Sequence, residues 1–107
     1  MILEWIGLVD DTIYDSLLKE RRAIVFKHST RCSLSSMVKR RLERAKGFNE
    51  AVYYLDIFKH RKLSDYIEET TGVRHASPQI LIFKEGEVVF HTSHTAISAE
   101  KIMEHLD

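Results

Sequence analysis

The stretch "AIVFKHSTRCSLSSMVKRRL", residues 23–42, holds the only cysteine of the chain at the junction of two different patterns. Its first four residues are apolar and mostly β-branched or aromatic, which predicts a buried central strand. From Leu34 onward, apolar residues recur every three or four positions, which predicts one face of an amphipathic helix. Cys32 therefore lies at a strand-to-helix turn, just past the apolar run in which a core-filling cysteine would be expected.

Strand and helix patterns alternate along the rest of the chain. Short apolar runs predict further strands at residues 5–9, 52–57, 79–83 and 87–90. Helices are predicted after Asp10 or Asp11, from Leu34 to Gly47, from about Leu63 (with Ser64 or Asp65 as its cap and Gly72 as its end), and after Ser98. The turn at residues 85–86 predicts an antiparallel hairpin between the last two strands. The order β-α-β-α-β-α-β-β-α indicates an α/β fold in which a mixed sheet, with parallel strands and a C-terminal hairpin, is flanked by helices.

Composition and charge narrow the class of protein. The 107 residues predict one domain spanning 1–107, and their 44% hydrophobic and 30% charged content is ordinary for a globular protein. Sixteen basic and sixteen acidic residues cancel, so no net charge draws the chain to nucleic acid or to a membrane. There is no signal-peptide pattern and no apolar run of about 20 residues. We therefore expect a cytoplasmic protein that binds neither nucleic acid nor membrane, and a single cysteine excludes an internal disulfide.

Two stretches resemble a known family. "FKHSTRCSLS" (residues 26–35) and "SPQILIFKEGEVVFHTSH" (residues 77–94) are similar to the YtxJ family, the monothiol bacilliredoxin-like proteins of the thioredoxin-fold superfamily. In that family a Thr-Cys-Pro-x-Ser-type site is followed by Ser-Pro-Gln and later by Ser-His. The resemblance covers nearly the whole chain and implies a thioredoxin-like fold with a cis peptide bond before Pro78. One position departs from the pattern, since Ser33 stands where a proline usually follows the cysteine.

The residues around Cys32 suit thiol chemistry. Disulfide exchange needs a thiolate, whereas a free cysteine, with a pKa near 8.5, is mostly thiol at neutral pH. A helix N-terminus offers unpaired amide groups and a partial positive charge. Ser35, one helical turn further on, is placed to donate its hydroxyl to the sulfur, and Lys27, His28 and Arg31 are expected to add positive charge at the same turn. We therefore predict that Cys32 ionises more readily than a free cysteine.

The absence of a second cysteine selects the mechanism. Cys32 with Ser35 cannot close its own disulfide as a Cys-x-x-Cys site does, so exchange must pass through a mixed disulfide with a small thiol. The resemblance implies bacillithiol as this co-substrate, with glutathione as the competitor, and S-thiolated proteins as clients. We expect a monomeric monothiol oxidoreductase without a tightly bound cofactor.

Further site residues follow from the resemblance. Ser77 and Pro78 are expected to bind and present the substrate disulfide, because the backbone before this proline pairs with the substrate in the thioredoxin fold. Alignment on Phe-Lys-Glu-Gly places His94 where thioredoxins have a glycine bordering the sulfur. His94 is thus a catalytic candidate that supplies positive charge or relays a proton to the leaving thiol. Apart from the resemblance, the positive charge of Arg31 next to Cys32 predicts that it binds the carboxylates of a small anionic thiol.

Other interpretations remain open. A monothiol-glutaredoxin-like protein would bind a 2Fe–2S cluster between two subunits, although its Cys-Gly-Phe-Ser-like site differs from Ser33 and Leu34 here. A thioredoxin-fold interaction module would carry an inert thiol. The basic run at residues 39–41 is predicted to lie on the solvated face of its helix, which disfavours nucleic-acid binding. The six histidines are too scattered to predict a zinc site.

Overall fold

The apolar runs and helical patterns of the sequence form the elements that they predict. The computed structural model describes residues 3–106, within which one five-stranded sheet is flanked by four α-helices. In chain order the elements are β1 (Glu4–Gly7), α1 (Asp11–Leu17), β2 (Arg22–His28), α2 (Ser33–Arg44), β3 (Ala51–Asp56), α3 (Arg61–Thr71), β4 (Gln79–Lys84), β5 (Glu87–Ser93) and α4 (Ala99–Glu104), with one 3₁₀ turn at His94–Ala96 before α4. The predicted order is confirmed.

The sheet is mixed, as predicted. Its strand order is β1-β3-β2-β4-β5, with β3 parallel to both β1 and β2, and β4 antiparallel to both β2 and β5. The turn of the β4–β5 hairpin is formed by Glu85 and Gly86, whose φ angles are 52° and 82°. A side chain at Gly86 would bring its Cβ to 3.0 Å from the Leu18 carbonyl oxygen, so this position requires glycine both for its backbone conformation and for space.

Helices cover both faces of the sheet, and each face has its own apolar core. On one face, α2 and α4 contribute Val38, Leu42 and Ile102 to a cluster that includes Phe26 of β2. On the other face, α1 and α3 pack over a second cluster built around alternate strand residues such as Val25. Because side chains alternate along a strand, the buried β2 strand feeds both cores. Within residues 3–106, no helix is both long and apolar enough to cross a membrane.

Helix starts and ends agree with the predictions at some positions and differ at others. Asp10 caps α1 by accepting the Ile13 N–H at 2.9 Å, and Ser98 caps α4, as predicted. Gly72 ends α3 in the left-handed conformation, with φ 73°. The helix α2, however, ends at Arg44 and not at Gly47, which lies in the following loop.

The predicted cap of α3 is wrong. The helix begins two residues earlier than expected, at Arg61, with His60 at its N-terminal boundary. Ser64 does not cap it, because the Ser64 side chain is fully buried and its hydroxyl pairs with His75 Nδ1 at 2.9 Å. Asp65 instead forms an exposed ion pair with Arg61 at 3.5 Å. The local pattern of polar residues gives no sign of these tertiary contacts.

The surface of α2 differs from the prediction at Met37, whereas Arg40 and Arg41 of the basic run are exposed, as predicted. Met37 belongs to the recurring apolar residues that predicted the inner face of this helix, yet it is 41% exposed. Lys39 does not extend freely into solvent, since its ammonium pairs with Glu43 at 2.8 Å and lies 5.0 Å from the centre of the Trp5 ring. Arg41 donates to the carbonyl of Ile97, next to α4. Lys39 and Arg41 of the basic run therefore contact residues outside α2, namely Trp5 of β1 and Ile97 before α4.

Candidate active site

Three segments leave the sheet at one edge. A row of paired strand residues joins Lys27 of β2, Gln79 of β4 and Ser93 of β5. The end of β2, the start of β4 and the end of β5 therefore lie side by side. The turn that leads to Cys32, the Ser77–Pro78 peptide and the 3₁₀ turn all extend from this edge, which brings together the segments that the sequence singled out.

Cys32 lies at the N-terminal boundary of α2. Its backbone is extended, with φ −109° and ψ 118°, and its carbonyl oxygen accepts the Ser36 N–H at 3.1 Å. The side chain is a free thiol of intermediate exposure. No side chain caps this helix end, and no acidic residue occupies its first turn. The sulfur is thus attached at the N-terminal end of α2, where the partial charge of the helix is positive.

The Ser35 hydroxyl is held by other groups than the sulfur. Ser35 is fully buried, its Oγ lies 2.7 Å from His28 Nδ1, and the same Oγ accepts the Ser29 N–H at 3.1 Å. Across residues 3–106, the Cys32 sulfur takes part in no hydrogen bond that the structure records. Donation from Ser35 to the sulfur stays a prediction, and His28 is the partner that the sequence did not reveal.

The expectation that Lys27 and His28 crowd the turn is wrong. Strand β2 extends through His28, so these two side chains point to opposite faces of the sheet and both are buried. Burial, together with the nearby Lys39 ammonium, holds the pKa of His28 below its usual 6.5. Burial also lowers the pKa of Lys27 to about 8, and its ammonium donates to the Ser64 carbonyl at 3.2 Å on the α3 side. Neither residue supplies the exposed positive charge that was expected beside the sulfur.

Arg31 is the basic residue that remains exposed next to Cys32. Its guanidinium carbon lies 3.8 Å from the centre of the Phe58 ring, a cation–π contact between two surface side chains. Phe58 is 54% exposed, and with Val9 and Tyr66 it also lines an open cleft of about 610 Å³. Phe58 could not be predicted from the sequence, since a single aromatic residue after a strand does not indicate which side chain it contacts.

The remaining predicted residues lie on the β4 and β5 side of the edge. The peptide bond between Ser77 and Pro78 is cis, as the resemblance implied. The Ser77 hydroxyl is buried and lacks a hydrogen-bond partner in the part of the chain that the structure describes. His94 is exposed, has a left-handed backbone with φ 57°, and donates its N–H to the Pro78 carbonyl at 2.9 Å. The backbone thus ties His94 directly to the loop that carries Ser77 and Pro78.

Metal ligands are not grouped at this edge. Within residues 3–106, no three His, Cys, Asp or Glu side chains come together in a way that could hold a metal ion. Cys32 is the only thiol of the sequence. A metal cluster bound through Cys32 would therefore need ligands from a second molecule.

Comparisons with known proteins agree with this geometry. The family model described as monothiol bacilliredoxin BrxC matches residues 9–102. A solved structure described as a candidate oxidoreductase with a thioredoxin fold is 28% identical, with a TM-score of 0.84 over 94% of this chain and 91% of that chain. A thioredoxin variant from Halobacterium salinarum NRC-1 is 18% identical, with a TM-score of 0.71 over 94% of this chain and 86% of its own. The thioredoxin of Schistosoma mansoni is 20% identical, with a TM-score of 0.69 over 94% and 91% of the two chains. The predicted thioredoxin-like fold is confirmed.

Proposed function

This chain belongs to the monothiol bacilliredoxin BrxC family, and from that membership we propose that it removes bacillithiol from S-thiolated client proteins. The family and the fold support a thiol redox role. The observation that carries the finer proposal is the position of Cys32. It is the only thiol, it is partly exposed at the N-terminus of α2, and Ser35 occupies the place of the second cysteine of a dithiol site.

The proposed reaction has two exchange steps that balance in atoms and electrons. In the first step, the Cys32 thiolate attacks the small-thiol sulfur of the client disulfide. A new bond forms between Cys32 and the small thiol, the client disulfide breaks, and the client leaves as a thiolate that receives a proton from His94, which regains one from water. In the second step, the thiolate of another small-thiol molecule attacks this adduct, which yields the symmetrical small-thiol disulfide and regenerates the Cys32 thiolate.

Residues around the sulfur have separate roles in this proposal. Arg31 binds a carboxylate of the small thiol, because it directly precedes Cys32 in the chain and its guanidinium is exposed and held against Phe58. The backbone of Ser77, before Pro78, pairs with the chain of the incoming client. His94 protonates the leaving thiol, a role that its exposure and its hydrogen bond to Pro78 support. We further propose that the protein acts in the cytoplasm as a monomer, with the small thiol as co-substrate and no tightly bound cofactor.

The test is to follow the small thiol by mass. The protein is incubated with one client in an S-bacillithiolated form and, separately, in an S-glutathionylated form, and intact masses are recorded. We expect Cys32 to gain one bacillithiol while the client is freed, and the Cys32→Ser variant to gain nothing. Adduct formation with glutathione alone would contradict the choice of small thiol. A protein that frees neither client, or that is brown after anaerobic purification, would contradict the exchange function and favour the inert-thiol or the cluster-binding interpretation.

A further inference from the structure

The contacts of Ser35 Oγ do not fix the position of the hydrogen that it shares with His28. Ser35 Oγ has one hydrogen to donate and two lone pairs. The Ser29 N–H can only donate, so it occupies one lone pair of Oγ at 3.1 Å. The contact of 2.7 Å between Oγ and His28 Nδ1 then contains one hydrogen, which belongs to one partner or the other. Whether this hydrogen is bonded to Ser35 Oγ or to His28 Nδ1 determines whether Ser35 can donate a hydrogen bond to the Cys32 sulfur.

Two arrangements satisfy these contacts. If His28 carries its hydrogen on Nε2, Nδ1 accepts from Ser35, and the hydroxyl hydrogen is not available to the sulfur. If His28 carries its hydrogen on Nδ1, Ser35 accepts from both Ser29 and His28, and its own hydrogen is free. The sulfur of Cys32 belongs to the residue one helical turn before Ser35, at the same end of α2. Only the second arrangement allows Ser35 to donate to it.

We propose that His28 is a positioning residue for Cys32 that acts through Ser35, and that the hydrogen bond between His28 and Ser35 reverses when Cys32 ionises. In the thiol form, Ser35 donates to Nδ1. In the thiolate form, Nδ1–H donates to Ser35 and Ser35 donates to the sulfur. This inference deepens the proposed function, since it concerns the thiolate on which the first exchange step rests.

The reversal conserves protons. The thiol proton of Cys32 passes to Ser35 Oγ, the former hydroxyl hydrogen of Ser35 passes to His28 Nδ1, and His28 releases its Nε2 proton to water. The imidazole is neutral before and after, and the net change is one proton lost from the thiol. A chain of two donors that both point toward the anion is polarised in the same direction, which strengthens the final bond to the sulfur.

The surroundings of His28 favour a neutral imidazole that changes its tautomer. His28 is 3% exposed and stacks on Phe26 with ring centres 5.7 Å apart. The charged and titratable groups that face it are Lys39 and Glu43 of α2 and, at the end of β3, Asp56 together with Tyr54. Desolvation and the Lys39 ammonium disfavour the imidazolium, while the two carboxylates oppose them. Because burial predominates, the thiolate must be stabilised through the direction of the hydrogen bonds and not through a permanent positive charge on His28.

Nitrogen NMR of the His28 side chain tests the reversal directly. In the reduced protein, the pH is raised through the ionisation of Cys32, which is followed independently by the rate of alkylation with iodoacetamide. We expect Nδ1 to change from an acceptor nitrogen to a hydrogen-bearing nitrogen in step with Cys32, and no such change in the Cys32→Ala and Ser35→Ala variants. The Ser36→Ala variant, altered in the same helical turn, keeps the change. A His28 tautomer that stays constant while wild-type Cys32 ionises would overturn the proposal.

A double-mutant cycle separates this role from simple packing. Ser35→Ala is expected to slow alkylation at neutral pH about tenfold, the loss of one charge-assisted hydrogen bond. His28→Phe keeps a ring against Phe26 and is expected to slow alkylation to a smaller extent, and only when Ser35 is present. An equal effect of His28→Phe in both backgrounds, or no effect in either, contradicts action through Ser35. Neither experiment uses a disulfide substrate, so a failure here leaves the bacillithiol reaction standing, and a failure of that reaction leaves this result unaffected.

Discussion

The ammonium group of Lys27 is buried in the core beneath the site and donates to the carbonyl oxygen of Ser64 at 3.2 Å. The strand neighbour of Lys27, Gln79, is also buried, and its side-chain oxygen lacks a partner among the described residues. Desolvation of this ammonium lowers its pKa from 10.5 to about 8, against the attraction of Glu68 and Asp65. A buried charge of this kind weakens the fold whenever it is protonated.

Replacement of Lys27 by methionine is therefore expected to stabilise the protein. At pH 7 the lysine is protonated in both the folded and the unfolded chain, and we expect Lys27→Met to raise the free energy of unfolding by about 1 to 3 kcal/mol. Between pH 8 and 10.5 the folded protein loses this proton while the unfolded chain keeps it, so the wild type gains stability with rising pH and the difference shrinks. Urea unfolding at several pH values measures this trend. The exposed Lys62→Met variant is the control, and a difference that does not change with pH would contradict the buried charge.

Arg31 is expected to select anionic reagents at Cys32. Iodoacetate and iodoacetamide are similar in size and differ by one negative charge, so the ratio of their rates reports the local field. A cation about 4 Å from the reagent contributes about 1 kcal/mol where both are surrounded by water. Arg31→Ala should therefore lower the ratio of the iodoacetate rate to the iodoacetamide rate about fivefold. Arg44→Ala, at the other end of α2, should leave it unchanged. An equal ratio in the wild type and in Arg31→Ala would remove Arg31 from the binding role, and a lower ratio at high salt would support it.

The element order and the place of Cys32 could be predicted because both depend on local patterns. An apolar run followed by a helical repeat indicates a strand-to-helix turn, whichever strands the run pairs with in the sheet. The end of β2 could not be predicted, since it depends on partners that meet only in the assembled sheet. Lys27 pairs with Gln79, and His28 pairs with Asp56 of β3. These pairs extend the strand two residues past the apolar run and bury two polar side chains that the local sequence pattern assigns to a loop.

The other features that the sequence did not predict depend on side-chain contacts between residues distant in the chain. The Arg31–Phe58 contact joins the turn after β2 to the turn after β3, and no spacing in the sequence predicts it. Ser64 has the character of a helix cap, yet its hydroxyl and its carbonyl are used by His75 and Lys27. The pattern gives the type of residue at each position, whereas tertiary contacts decide which of its polar atoms remain available for chemistry.

Restoring the proline that usually follows the cysteine in the family, in place of Ser33, is expected to stabilise the protein. Ser33 is the first residue of α2, where proline is favoured because the helix offers its N–H no partner. The preceding Cys32 already has the extended backbone that a following proline requires. Ser33→Pro should therefore raise the free energy of unfolding by about 0.4 to 1 kcal/mol. Thermal unfolding measures the change, and a loss of stability would show that the helix start is more strained than its backbone angles indicate.

Ser36→Pro is the control for Ser33→Pro, because it introduces proline in the same helical turn at a position whose N–H is hydrogen-bonded. The Ser36 N–H donates to the Cys32 carbonyl at 3.1 Å, so proline at this position removes the first hydrogen bond of α2. We expect a loss of about 3 kcal/mol or more. Similar effects of proline at Ser33 and Ser36 would contradict the position of the helix start.

Substitution of Ser35 by cysteine is expected to convert the site to a dithiol. Ser35 lies one turn from Cys32 at the same end of α2 and is fully buried, so the new thiol would be shielded from solvent and close to the adduct sulfur. After the first exchange step, this thiol should attack Cys32, expel the small thiol and close an intramolecular disulfide. Intact mass should then show a protein two hydrogens lighter and without adduct, whereas the wild type keeps its adduct. Ser36→Cys is the control, because its side chain projects from a different face of the helix. If Ser35→Cys retained the adduct, the Ser35 position would not face the sulfur.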